Sequence, residues 1–111
     1  MKPSIYPSLY KIWLDDLRPA PDGYMWFKSV NDTKSFIESK KDRLCIFMLD
    51  LDHDLGDYAY DGGDAIRLIE WLLWNGYHEM NWIRFIFNFH TMNPVGRENM
   101  KALVDRYFKE V

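Results

Sequence analysis

Residues 44–56 read Leu44-Cys45-Ile46-Phe47-Met48-Leu49-Asp50-Leu51-Asp52-His53-Asp54-Leu55-Gly56, an unbroken apolar run that passes directly into alternating aspartates. The run has the length of a strand and is too short for a helix. Being continuous rather than alternating, it suits a parallel strand covered on both faces. The change to Asp, His and Gly marks its carboxyl end and the start of a polar loop. In open parallel sheets ligands bind beyond that end, so this one stretch bears on both the fold and the site.

Towards the N-terminus, Leu9-Tyr10-Lys11-Ile12-Trp13-Leu14 reads as another strand, cut off by Asp15-Asp16 and the Pro19/Pro21/Gly23 turn region. A short strand is expected over Met25 to Val30, then a helix capped by Asn31 or Asp32 and running to about Lys41. Towards the C-terminus the acidic loop is expected to end at Gly62-Gly63, where a helix apolar nearly all round begins. Asn75-Gly76 stops it. Residues 82–89 form a further strand, and Met100, Leu103, Val104 and Tyr107 lie at i, i+3, i+4, i+7 in a last helix preceded by Pro94 and Gly96. Strands alternating with helices predict an α/β domain with a mainly parallel four-stranded sheet flanked by helices. A chain of 111 residues has room for one such domain, spanning 1–111, with residues 1–8 expected as a flexible N-terminal segment.

The composition is that of a chain with an ordinary core: 48% hydrophobic, 28% charged and 17% aromatic residues. The formal charge of −3 conceals an asymmetry. Positions 50–64 hold six of the twelve aspartates (Asp50, Asp52, Asp54, Asp57, Asp61, Asp64) and no Lys or Arg, so that segment carries −6 and the rest of the chain +3. With a pI near 5.5, an extended nucleic-acid groove lined with cations is excluded, while a small phosphate ligand held through a metal is allowed. An acidic mimic of nucleic acid would spread its charge rather than confine it to one loop. Cys45, the lone cysteine, excludes an internal disulfide and reads as a core residue. No segment approaches the roughly 18 apolar residues of a membrane span, and the first residues do not resemble a signal peptide. A cytoplasmic protein with no membrane partner is the expectation.

Parallel neighbours bring their carboxyl ends together, so three polar segments should converge: Leu14-Asp15-Asp16-Leu17-Arg18-Pro19, Asp50-Leu51-Asp52-His53-Asp54-Leu55-Gly56 and His90-Thr91-Met92-Asn93-Pro94. Carboxylates at close range raise one another's pKa unless a cation neutralises them. Their oxygens suit Mg²⁺, Mn²⁺ or Ca²⁺; three histidines without a thiolate cluster argue against zinc. An EF-hand loop counted from Asp50 would need Gly and Glu where Leu55 and Asp61 stand. Phe47-Met48-Leu49-Asp50-Leu51-Asp52 locally resembles the Asp-x-Asp of haloacid dehalogenase-like phosphatases, although an Asp-Asp strand precedes it here. Loop aspartates also cap helices and shape turns, and Asp57, Asp61 and Asp64 are read in that way. His78 reads as a solvated loop residue, and Trp71/Trp74 as core or as the face of a homodimer.

Taken together, the Asp pair after the first strand, Leu51-Asp52-His53-Asp54-Leu55-Gly56 after the third and His90-Thr91-Met92-Asn93-Pro94-Val95-Gly96 after the fourth resemble the three signatures of the cyclic-phosphate processing receiver family. The resemblance spans residues 12 to about 104. It implies a receiver-like (flavodoxin-like) topology, truncated in that the Lys ending a fifth strand in ordinary receivers has no counterpart, Lys101 and Lys109 falling on the last helix. It also implies action on cyclic phosphates. On that footing Asp15, Asp16, Asp52 and Asp54 would hold Mg²⁺ or Mn²⁺. His53 and His90, with Asp52, would carry the acid–base chemistry. Arg18, Thr91 and Asn93 would grip the phosphate of a small ester or nucleotide. The rival readings are a non-catalytic receiver-like switch module and haloacid dehalogenase-like chemistry. Two histidines beside the carboxylates favour proton transfer over a switch. Asp50 stands undecided against Asp52 as the key strand-end carboxylate.

Overall fold

The computed structural model describes residues 6–108. Four strands, β1 (Ser8–Leu14), β2 (Met25–Phe27), β3 (Cys45–Leu51) and β4 (Ile83–Phe89), form an all-parallel sheet in the order β2-β1-β3-β4. Three helices accompany them: α1 (Val30–Lys40), α2 (Ile66–Trp74) and α3 (Pro94–Tyr107). The α/β class and receiver-like topology expected from the sequence are present. The strand order reverses direction between β1 and β3, which is where such sheets open a crevice.

Connection handedness decides how the sheet is covered. The steps β2 to β3 and β3 to β4 move the same way across it, so right-handed crossovers place α1 and α2 on one face. The step from β1 to β2 moves the other way and carries residues 15–24 over the opposite face without a helix. Burial follows: Ile12, Leu14, Phe47, Leu49 and Leu51 are fully buried in one cluster with Val30, Ile37, Leu68, Leu72 and Met100 from the helices. Ile46, Met48 and Asp50, pointing the other way, are half-buried. There Tyr24 serves as cover, its hydroxyl donating to Met48 Sδ at 3.6 Å and its ring meeting Trp13 edge-on. The apolar run of β3 is thus roofed by helices on one side and by a loop on the other.

Several boundaries differ from the sequence reading. β2 ends at Phe27, and Ser29, not Asn31 or Asp32, caps α1: its hydroxyl accepts from the Asp32 N–H at 3.2 Å and donates to Asp61 Oδ2 at 2.7 Å. Buried Val30 needs to start the helix, which moves the cap upstream and leaves the Asn31 amide to donate to Asp61. β3 continues to Leu51 because Asp50 pairs in register with Trp13 and Asn88. α2 begins at Ile66; Gly62 and Gly63 have φ of +108° and +90° and belong to the preceding loop, which contains a 3-10 turn over Gly56–Tyr60. Of the N-terminal segment read as flexible, residues 1–5 lie outside the described residues, while Ser8 already pairs with Cys45. Lys109 also lies outside them; Lys101 pairs with Asp105 on α3 at 3.1 Å. Trp71 packs on Tyr77, whereas Trp74 is 77% exposed. Among the described residues no helix is long and apolar enough to cross a membrane.

Candidate active site

Leu14, Leu51 and Phe89 stand opposite one another, so β1, β3 and β4 end level. The backbone ladder then runs one step further, from the Asp52 N–H to Leu14 O at 2.9 Å and from the His90 N–H to Leu51 O at 3.1 Å. This places Asp15, Asp52 and His90 side by side on rigid strand ends, and a cavity of about 440 Å³ opens above them.

Asp15 is 1% exposed, and both of its oxygens are occupied. Oδ1 accepts the Leu17 and Arg18 N–H groups at 2.8 Å each; Oδ2 faces Arg18 Nε and His90 Nε2 at 2.9 Å each. Burial pushes the carboxyl pKa upward, but those backbone and side-chain donors and the Arg18 charge outweigh it and hold it below the ordinary value. Asp52 is affected in the opposite sense. Burial, then the charge of Asp15, raise its pKa against the pull of Thr91, Arg18 and His90. Arg18 Nη2 lies 3.5 Å from Asp52 Oδ1, so one guanidinium spans both acids.

Asp16 completes an oxygen set: ligand oxygens of Asp15, Asp16 and Asp52 all lie within 4.8 Å of one another. A side chain at Gly56 would meet Asp16 Oδ2 at 2.5 Å, so the loop closes on Asp16 only because that position has none. Three hard carboxylate donors, two of them buried and one of these, Asp52, only partly compensated, are a chemically sound set for Mg²⁺ or Mn²⁺. Asp16 and Asp52 are the freer ligands, since Asp15 would have to release a protein donor.

Asp54 does not join that set. Its carboxylate faces His53 Nδ1 at 2.8 Å and accepts from Asn93 Nδ2 at 3.1 Å, and it clusters instead with His53 and Asp64. The His53 bond, assisted by Asn93, lowers its pKa. It still lines the cavity, as do Arg18, Thr91 and Asn93. Asn93 also caps α3, its side-chain oxygen accepting from the Gly96 N–H at 2.9 Å. Asp64 accepts from the Leu55 N–H at 3.1 Å, and Asp61 ties the loop to Ser29 and Asn31.

The two histidines sit behind the carboxylates rather than at the cavity wall. His90 presents Nδ1 to Asp50 Oδ1 at 2.6 Å and Nε2 to Asp15. Asp50 therefore engages His90 inside the sheet while Asp52 faces the cavity. That also weighs against a haloacid dehalogenase-like role, which would need Asp50 free at its strand end. The sequence reading passed over Trp13, on which His90 stacks, as well as Leu17 and Met92, which line the cavity. The period-two alternation of β1 places Trp13 on the face of Lys11 and so could have paired it with Asp50; nothing in the sequence singled out the other two.

A family model described as the cyclic-phosphate processing receiver domain matches residues 10–106. The chain belongs to this family. No curated protein and no solved structure matches it. In this cyclic-phosphate processing receiver domain the matched residues include all three strand-end segments, and the family description associates the fold with the processing of cyclic phosphates. A further cavity of about 350 Å³ lies at the amino end of β4 beside Tyr77 and His78; among the described residues the buried His78 Nδ1 has no hydrogen-bond partner and no acid cluster borders the cavity.

Proposed function

We propose that this receiver domain is a divalent-metal-dependent phosphoesterase that opens a cyclic phosphodiester, such as a cyclic nucleotide or an RNA-derived 2′,3′-cyclic phosphate. The observation that carries the reading is the convergence of Asp15, Asp16 and Asp52 within 4.8 Å, beside Arg18, at the ends of adjacent strands. Asp16 and Asp52, with Asp15, would hold the ion, which when bound polarises a phosphoryl oxygen as a Lewis acid. Arg18 grips a second non-bridging oxygen; the Thr91 hydroxyl and Asn93 amide orient the ester. Water attacks phosphorus and the ring P–O bond breaks. Asp52 accepts the proton of the attacking water and passes it to the departing alkoxide; His53, behind the cavity wall, acts as a positioning residue through its contact with Asp54. His90 acts as a positioning residue through Asp15 and Asp50.

The test is incubation with 2′,3′-cyclic nucleotides, cyclic dinucleotides and linear phosphodiesters, with Mg²⁺, Mn²⁺ or a chelator, followed by phosphorus NMR. A cyclic phosphate should yield a monoester resonance that the chelator suppresses. Failure to turn over any cyclic phosphate with either metal overturns the reading. The saturation of Asp15 by four protein donors favours a second, binding-only role. It would show as cation-dependent binding of the same compounds without product.

A further inference from the structure

Two apolar side chains stand at the mouth of the polar cavity. Leu17 is 79% exposed and Met92 85% exposed, and both line it. They rise from opposite walls: Leu17 follows β1, Met92 follows β4, and β3, carrying Asp52, lies between those strands. Single exposed apolar residues are ordinary on protein surfaces. This pair differs in bordering one cavity on turns that are tied down. The Leu17 N–H donates to Asp15 Oδ1 at 2.8 Å; around Met92, the Asn93 N–H donates to Thr91 Oγ1 at 3.1 Å and Arg97 Nη2 to Thr91 O at 2.7 Å.

We propose that Leu17 and Met92 form a clamp for the base of a free nucleoside cyclic phosphate. The proposal rests on the phosphoesterase reading for the place of the phosphate and adds the other half of the substrate. A nucleobase is apolar on both faces and polar at its edge. Side chains on facing walls cover the two faces, methionine adapting to either ring size, and the exposed Asp54 carboxylate at the same cavity can accept a hydrogen bond from the edge. An acyl chain would find apolar contact at these two residues and leave its remaining length in water. A nucleic-acid strand would meet Asp15, Asp52 and Asp54 with Arg18 as the one cation among the lining residues, a poor match for successive phosphates.

The test compares binding, by calorimetry with Mg²⁺ present, of adenosine and uridine 3′-monophosphates against glycerol 1-phosphate. The wild-type chain should prefer the nucleotides by about tenfold or more, the scale of covering one small apolar group. Leu17→Ser and Met92→Ser should each erode that preference about threefold to tenfold without changing affinity for glycerol phosphate, while Met92→Leu retains it. Because both positions are exposed, the melting temperatures should stay put, which rules out misfolding as the cause. No preference in the wild type, equal weakening of both ligands, or tighter binding of an oligonucleotide ending in a 3′-phosphate than of the mononucleotide would overturn the clamp. Base preference kept in a protein without turnover would overturn the phosphoesterase reading alone; turnover with no base preference would overturn the clamp alone.

Discussion

His90 lies flat on Trp13, with ring centroids 3.7 Å apart and planes inclined by 4°. Trp13 points away from the helices on β1, and its indole N–H donates to the Arg18 carbonyl at 2.9 Å. The stacked pair therefore holds the imidazole edge-on between Asp50 and Asp15, and the turn carrying Arg18 is braced by the same indole. His90→Ala removes the imidazole that bridges two carboxylates, one of them almost fully buried. It should destabilise the fold by about 2–3 kcal/mol, the upper range for leaving buried polar groups without their partner. Trp13→Leu keeps the His90–carboxylate contacts but loses the stack and the indole bond to the Arg18 carbonyl, at about 1–2 kcal/mol. Urea unfolding of both variants checks the order; equal losses would show that the stack, not the carboxylate bridge, fixes His90.

Asp15 and Asp52 should respond to pH in opposite senses. The Asp15 carboxyl is held below its ordinary value of 3.8, so its stabilisation is present above that pH and lost as pH falls through the lower folded value. Asp15→Asn should therefore cost roughly 2 kcal/mol at pH 7, as expected for charge-assisted bonds of this number, and progressively less as the pH falls below 3.8 through the lowered folded value. Denaturant unfolding across that range is the check.

For Asp52 the sign reverses. Its carboxyl is raised above 3.8, so the fold favours the protonated form, and that contribution disappears as pH rises through the folded value. At pH 7 without metal the charged group is a liability. Asp52→Asn should then stabilise the chelated protein by about 1 kcal/mol, as relief of a functional-site strain commonly does. Mg²⁺ should raise the melting temperature of the wild type in a concentration-dependent way and leave the variant unmoved. A variant less stable than wild type in chelator would contradict this account of Asp52.

Gly96 stands at the third position of α3, where alanine would ordinarily favour the helix by up to about 1 kcal/mol. An added Cβ would lie 2.5 Å from His53 Cγ, however. Gly96→Ala should displace the ring, loosen its contact with Asp54 and destabilise by about 1–3 kcal/mol, the range for overpacking. A stabilised Gly96→Ala protein with unchanged phosphate-ester turnover would sink the claim that Gly96 positions His53.

Ser29→Ala removes both the cap of α1 and the bond to Asp61. A loss of about 1–2 kcal/mol is expected, at the upper end for a cap because the acidic loop is released as well. Asp61→Asn should lose less, since an amide can still accept from Ser29; thermal melts of the two variants decide the order.

Much of the fold was readable along the chain. Leu44–Leu49 and residues 82–89 announced strands, and Met100, Leu103 and Val104 announced the last helix, because local apolar periodicity needs no partner to be seen. The cap at Ser29 was missed: its hydroxyl answers to Asp61, thirty-two residues away, as well as to Asp32. The delayed start of α2 was missed because Gly62 and Gly63 look alike in sequence whether they open a helix or hold a left-handed turn.

By itself the sequence determined an α/β chain with a parallel sheet, three polar strand ends and a concentration of negative charge in one loop, since these depend on composition and on spacing between neighbours. Only the tertiary structure decided how that charge is shared. Whether an aspartate meets a backbone N–H, an imidazole, a guanidinium or another carboxylate depends on residues brought together from β1, β3 and β4, and those contacts set its protonation. That is why Asp50 engages His90, Asp54 turns to His53 and Asn93, and Asp52 is left facing the cavity.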